Sequence, residues 1–294
     1  MIPEEFEYRA PRSLDEAKTI LGAGVGAKVL AGGMSLIPAM KHRLARPGLL
    51  VDLGRVPDLD GISERRGTIR IGANVTHDSI LRAPELEEIP ILRETAELIG
   101  DPQVRNRGTL AGSLVHADPA ADWPAVFLVL DGEARLEGTS GRRSVAAADF
   151  FRGILTSAVE ESEILTEVRL LAEPKRSGSA YLKLRQPASG FAIVGVAVQL
   201  SLDRRGRCER VAIGITGVNA VPFRAKSLEE RLAGETLEED ALTSLCGSIE
   251  ELDPMEDLHA TADYRRHLAA VFTRRAVLRA HGRAMGVRAH GRAI

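Results

Sequence analysis

Ala31-Gly32-Gly33-Met34-Ser35 follows directly on the apolar run Lys28-Val29-Leu30, and Thr109-Leu110-Ala111-Gly112-Ser113 follows directly on the turn-like Arg105-Asn106-Arg107-Gly108. Both are runs of small residues closed by a hydroxyl. With little side chain in the way, successive backbone N–H groups can converge on an anion, and a serine or threonine hydroxyl adds a donor. Two such nests facing each other suit a diphosphate gripped from both sides. That points to a nucleotide cofactor held without a Rossmann loop.

Gly22-Ala23-Gly24-Val25-Gly26-Ala27 matches the G-x-G-x-x-G/A pattern letter for letter. The pattern has mechanical meaning only where a strand enters the glycines and a helix leaves them. Here the order is reversed. Ser13 reads as the N-cap of a helix with Asp15 and Glu16 in its first turn, the glycines end it, and Lys28–Leu30 is the next strand. The match is a helix exit.

The chain of 294 residues is long enough for two or three domains. Its 44% hydrophobic and 27% charged content is that of an ordinary globular protein. It has no apolar run of membrane-spanning length and no signal-peptide pattern, so a cytoplasmic location is expected. Two cysteines, Cys208 and Cys246, are too few for an iron–sulfur cluster and carry no zinc-ligand spacing. Net charge is −2, which gives no general attraction to nucleic acid. After Asp263, however, the chain has arginines at 265, 266, 274, 275, 279, 283, 288 and 292 and no acidic residue. A solvated helix face is the first reading of these arginines and a partner surface the second; without aromatic stacking residues, nucleic acid is disfavoured.

Along the chain, the first 55 residues read helix, strand, nest, helix (Ile37–Leu44), strand (Leu49–Leu53). A strand at Thr68–Gly72, a helix at Ile91–Ile99 and a buried helix after Asp122 follow, with Asp122 as cap and Pro124 in the first turn. Further strands are expected at Ala134–Glu137 and Ile164–Leu170, and a linker at Glu173–Gly178. Beyond it come strands at Tyr181–Leu184, Phe191–Leu202 and Val211–Val218, then helices at Ala225–Ala233, Glu238–Leu252 and from Asp263 to about His281. A small sheet covered by helices is the expected architecture there.

Asp118 and Asp122 are a possible carboxylate pair, though a turn residue and a helix cap fit as well; Asp122, beside a nest, also suits hydrogen bonds to polyol hydroxyls. His116 reads as structural and His77 as sitting at a helix start. Neither histidine has a serine or cysteine context that reads as a triad, so hydrolysis has no support.

The stretches Ala31–Pro38 and Val104–Pro119 together resemble the two FAD motifs of the molybdenum hydroxylase flavoproteins, the medium subunits of carbon monoxide dehydrogenase-like and xanthine dehydrogenase-like enzymes. The resemblance extends to Tyr181-Leu182-Lys183, Pro187–Ala192 and Tyr264–Leu268. It implies an α+β chain: a PCMH-type FAD-binding fold over residues 1–175, in two α/β subdomains of about 1–55 and 56–175, then a C-terminal domain over 176–285 built on a small antiparallel sheet with helices. Residues 286–294 would be a basic tail. By motif match, Ala31, Gly32, Gly33, Met34 and Ser35 and Thr109, Leu110, Ala111, Gly112 and Ser113 would hold the FAD pyrophosphate. Asp122 would face the ribityl and ring region, Leu165 would give backbone contacts near the isoalloxazine, and Lys183 would sit at its pyrimidine edge, where reduction places negative charge. Met34 stands where many relatives are polar and Ala111 where many have glycine; the Ala111 methyl limits close approach, so Gly112 and Ser113 are expected to contribute more.

The resemblance also implies partners: a molybdopterin-binding large subunit that hydroxylates substrate and a small subunit with two [2Fe–2S] clusters. This chain would pass electrons to an external acceptor (quinone, NAD or oxygen) within a heterotrimer that dimerises. The sequence leaves two alternatives: a self-sufficient FAD reductase of the enolpyruvyl-UDP-sugar reductase type, and a flavin-free scaffold that kept the fold.

Overall fold

The computed structural model describes residues 2–172 and 174–286. Glu173, at the start of the expected linker, and all but Gly286 of the basic tail lie outside them. Strand β1 (Glu7–Arg9) precedes helix α1 (Leu14–Ala23), which begins where Ser13 Oγ accepts the Glu16 N–H at 3.1 Å. Gly24 ends α1 and β2 (Ala27–Leu30) follows, so the G-x-G-x-x-A match is a helix exit as expected. Helix α2 (Leu36–Lys41) is shorter than the sequence suggests, because Arg43 enters the left-handed region at φ +60°. β3 (Leu49–Asp52) then runs between β1 and β2 in a parallel three-stranded sheet.

The second unit carries an antiparallel sheet of order β4-β5-β10-β6-β7: β4 (Ile62–Arg65), β5 (Thr68–Gly72), β6 (Glu133–Gly138), β7 (Gly141–Ala146) and β10 (Glu163–Leu171), with a small hairpin of β8 (Phe151–Gly153) and β9 (Thr156–Ser157). Between β5 and β6 lie α3 (His77–Arg82), α4 (Pro90–Glu97), α5 (Pro102–Arg105), α6 (Leu110–His116) and α7 (Trp123–Val129). Every residue of α7 is buried, which fits its continuous apolar sequence.

The last unit is an antiparallel sheet in simple meander order: β11 (Ser177–Arg185), β12 (Ala192–Leu202), β13 (Cys208–Thr216) and β14 (Phe223–Arg224). β11 begins at Ser177, so Ser177 and Gly178 belong to the sheet and not to a linker. Alternation sends Ala180, Val194, Val196 and Val198 to a core shared with α8 (Lys226–Leu232), α9 (Glu239–Leu245) and α10 (Ala262–Ala284). It sends Tyr181, Ala197 and Ala212 to the opposite face, into one core with α4, α6 and α7. The sheet is thus covered on both sides, and its inner face is common to the two halves of the chain.

Two sequence expectations need correction here. α9 stops at Leu245, well short of Leu252, because the chain turns at Gly247 and Glu251 reaches back to accept the N–H and hydroxyl of Ser227, both at 2.7 Å. The arginines of α10 do not form one solvated face. Arg265 is buried and donates to the carbonyls of Ile193 and Gly217 and to Asp257. Arg279 and Arg283 both pair with Glu94 of α4, at 2.7 and 2.5 Å, and so fasten the C-terminal helix to the second unit. Arg266 and Arg275 are exposed. Cys208 and Cys246 are both buried thiols, with burial pushing each pKa up to about 11. Among the described residues no helix is long and apolar enough to cross a membrane, and no cluster of His, Cys, Asp and Glu is placed to hold a metal.

Candidate functional site

The two glycine-bearing stretches meet in space. The first forms the turn between β2 and α2, with Gly33 at φ +76°. A Cβ on Gly32 would stand 2.1 Å from the Arg107 carbonyl oxygen and 2.7 Å from Gly108 Cα. Only glycine permits backbones this close. The hydroxyl of Ser35 makes no capping bond to α2, and Met34 is partly exposed.

The second stretch is a helix start. Thr109 caps α6, its Oγ1 accepting the Gly112 N–H at 2.9 Å, while the Ser113 N–H goes to the Thr109 carbonyl. The N–H groups of Gly112 and Ser113 are therefore engaged within the cap and the first turn. Leu110 and Ala111 turn their side chains into the core. Asp118 is a turn residue, accepting the Ala120 N–H at 2.8 Å.

His77, first residue of α3, is tied to the second stretch: its N–H donates to the Gly108 carbonyl at 2.9 Å. Its Nδ1 accepts the indole N–H of Trp123 at 3.0 Å, which fixes the neutral tautomer with hydrogen on Nε2. Burial, helped by the nearby Arg105 guanidinium, lowers its pKa from 6.5 to about 4. The unfolded chain takes up this proton at a higher pH than the folded one. Stability is then full above about pH 6.5 and falls as pH drops toward 4, by about 3 kcal/mol over that window. His77→Gln, which keeps an acceptor for Trp123, is expected to flatten that fall, as measured by urea unfolding at pH 7.5 and 5.

A third cluster lies at the start of α7. Asp122 does not cap this helix, contrary to the sequence reading; its side chain makes no capping bond and is buried among residues from β11. Alternation places Tyr181 and Lys183 on the same face of β11, the one that looks onto α7. The Tyr181 hydroxyl donates to Asp122 Oδ1 at 2.5 Å, and the Lys183 ammonium donates to Oδ2 at 2.8 Å. The Lys183 side chain is 1% exposed and that of Asp122 7%. Burial raises the Asp122 pKa, with Lys183 and Tyr181 pulling the other way. Two donors, one on each oxygen, make this the geometry of an ionised carboxylate. Tyr181 is held well above its usual range by burial and by Asp122, so it remains a neutral donor. Leu165 is buried in β10, paired with Leu136 just before a bulge, and α6 packs on that strand. Sequence reasoning missed Tyr181 and His77 as parts of this assembly.

The profile of the FAD binding domain in molybdopterin dehydrogenase matches residues 4–170, and that of the CO dehydrogenase flavoprotein C-terminal domain matches residues 179–280. The chain belongs to the FAD-binding medium subunits of the molybdenum hydroxylase family. It is 38% identical to the carbon monoxide dehydrogenase medium chain of Hydrogenophaga pseudoflava, over 94% of this chain and 97% of that one. The solved structure of carbon monoxide dehydrogenase from the same organism superposes with a TM-score of 0.92 at 39% identity, over 96% of this chain and 99% of that one. Quinoline 2-oxidoreductase from Pseudomonas putida 86 superposes with a TM-score of 0.91 at 33% identity, covering 97% and 100%. The expected fold and family are thereby established, and with them an oxidoreductase subunit carrying an FAD-binding domain. The cradle at Gly32 and Gly108 and the buried cation at Lys183 fit that cofactor.

Proposed function

We propose that this chain is the electron-output subunit of a molybdenum hydroxylase, receiving electrons from a [2Fe–2S] partner and delivering them to an external acceptor. The observation that carries this reading is the approach of Gly32 to Arg107 and Gly108, which brings the two stretches to one place. Residues Ala31–Ser35 and Thr109–Ser113 hold the pyrophosphate from opposite sides. Asp122 and the backbone at Leu165 line the ribityl and ring region, and the Lys183 ammonium faces the pyrimidine edge, where it stabilises the charge that reduction creates. The division into an FAD-binding unit over 1–175 and a C-terminal domain over 176–285 is part of this reading. FAD supplies the chemistry of the last step, since it accepts electrons singly and releases them in pairs.

The chain's two cysteines are too few to ligate an iron–sulfur cluster, so the electrons come from a partner chain. The complex is a cytoplasmic heterotrimer that dimerises, its large subunit holding molybdopterin and choosing the substrate. Quinone, NAD and oxygen are the acceptors to compare. Rapid mixing of flavin-loaded chain with reduced iron–sulfur subunit is expected to bleach the flavin absorbance. A flavin that stays oxidised beside its reduced partner contradicts the assignment.

A further inference from the structure

We infer that Tyr181 is a positioning residue of the flavin site, its hydroxyl orienting the Asp122 carboxylate so that the second oxygen fixes the Lys183 ammonium. This rests on the reading that Lys183 faces the flavin. Tyr181 itself needs no contact with the cofactor; it acts through Asp122.

Three features of the fold hold the tyrosine. Its ring is 1% exposed, in the core shared by the C-terminal sheet and α7. Its backbone N–H donates to Glu94 Oε2 at 3.0 Å, and Glu94 is in turn gripped by Arg279 and Arg283 from α10. Its hydroxyl occupies a slot that the sheet leaves open: Gly195 pairs with Lys183 across β11 and β12, and a Cβ there would lie 2.3 Å from the Tyr181 oxygen. Any larger residue at 195 would displace the hydroxyl.

The chemistry suits the geometry. A buried carboxylate with a single donor turns both oxygens toward it, because an unsatisfied oxygen in a dry site is costly. A neutral donor on Oδ1 satisfies that oxygen without adding charge and leaves one oxygen for the ammonium. The remaining ammonium hydrogens can then point elsewhere. Without the hydroxyl, Asp122 draws Lys183 toward itself and away from the flavin.

Tyr181→Phe keeps the ring volume and removes the donor. In the flavin-loaded chain, the ratio of reduced to oxidised flavin at a fixed dye potential is expected to fall about tenfold, with FAD occupancy at saturation unchanged. Ile213→Val, in the core on the opposite face of the sheet, lowers stability and should leave the ratio as in the wild type. In the flavin-free chain, Tyr181→Phe and Lys183→Met are expected to be non-additive in urea unfolding, since both side chains donate to the one Asp122 carboxylate. Lys183→Gln serves the same corner of the cycle if the methionine variant does not fold. Additive unfolding energies overturn the inference. So does an unchanged ratio in Tyr181→Phe when Lys183→Met shifts it. If Lys183→Met leaves the flavin ratio unchanged, the placement of Lys183 at the flavin has failed, and the unfolding cycle still judges the link between Tyr181 and Lys183.

Discussion

Gly32→Ala is expected to strip this chain of its flavin. The added methyl would sit 2.1 Å from the Arg107 carbonyl oxygen, and ordinary contact requires one backbone to retreat by more than about 1 Å. Neither side can yield easily. Gly32 lies between β2 and α2, and Gly108 is tied by its carbonyl to His77. A nest widened on this scale loses hydrogen-bond geometry at the diphosphate, where each charged bond is worth about 1.5–3 kcal/mol. Loss of two such bonds weakens FAD binding by on the order of 100-fold or more. Overpacking itself removes about 1–3 kcal/mol of stability. Gly48→Ala is the matched control, since its Cβ would meet nothing closer than Val25 O at 3.8 Å. FAD titration followed by protein fluorescence should separate the two variants; equal affinities would mean that the junction at Gly32 is not where the diphosphate lies.

Asp122→Ala is expected to be the more destabilising change. It leaves the Lys183 ammonium in a site where its side chain is 1% exposed and removes the acceptor of the Tyr181 hydroxyl. Breaking a buried pair from one side costs about 3–5 kcal/mol, which for a chain of this size lowers Tm by roughly 10 °C. The penalty belongs to the stranded charge, not to the loss of an attractive bond. Asp122→Ala combined with Lys183→Met should therefore recover most of the stability while leaving the flavin without its cation. Calorimetry of the single and double variants decides this. A double variant no more stable than Asp122→Ala would show that the pair is not the source of the loss.

The two halves of the site differ in how legible they are. The glycine stretches can be read from the sequence because close backbone approach demands residues without bulk, and that demand is local. The failed Rossmann match was legible for the same reason: Ser13 and the acidic first turn show the helix running into the glycines. Asp122 was not. An aspartate two residues before a proline reads as a helix cap, and the same letters serve a buried ion pair; only the register of β11 against α7 distinguishes them. The α10 arginines failed likewise, since the partner of Arg279 and Arg283 is Glu94, far upstream on α4. Helix periodicity carries no information about a contact with an element so far away in the chain.

The measurement that tests the central claim most directly is the visible absorption spectrum of the purified chain, with its cofactor released by heat and quantified. The arrangement of Gly32 against Gly108, with Lys183 and Asp122 buried beside α7, predicts a flavin spectrum at about one FAD per chain. A folded chain that takes up no flavin, even with excess FAD and its partner subunits co-expressed, would contradict it and leave a scaffold that kept the fold without the cofactor.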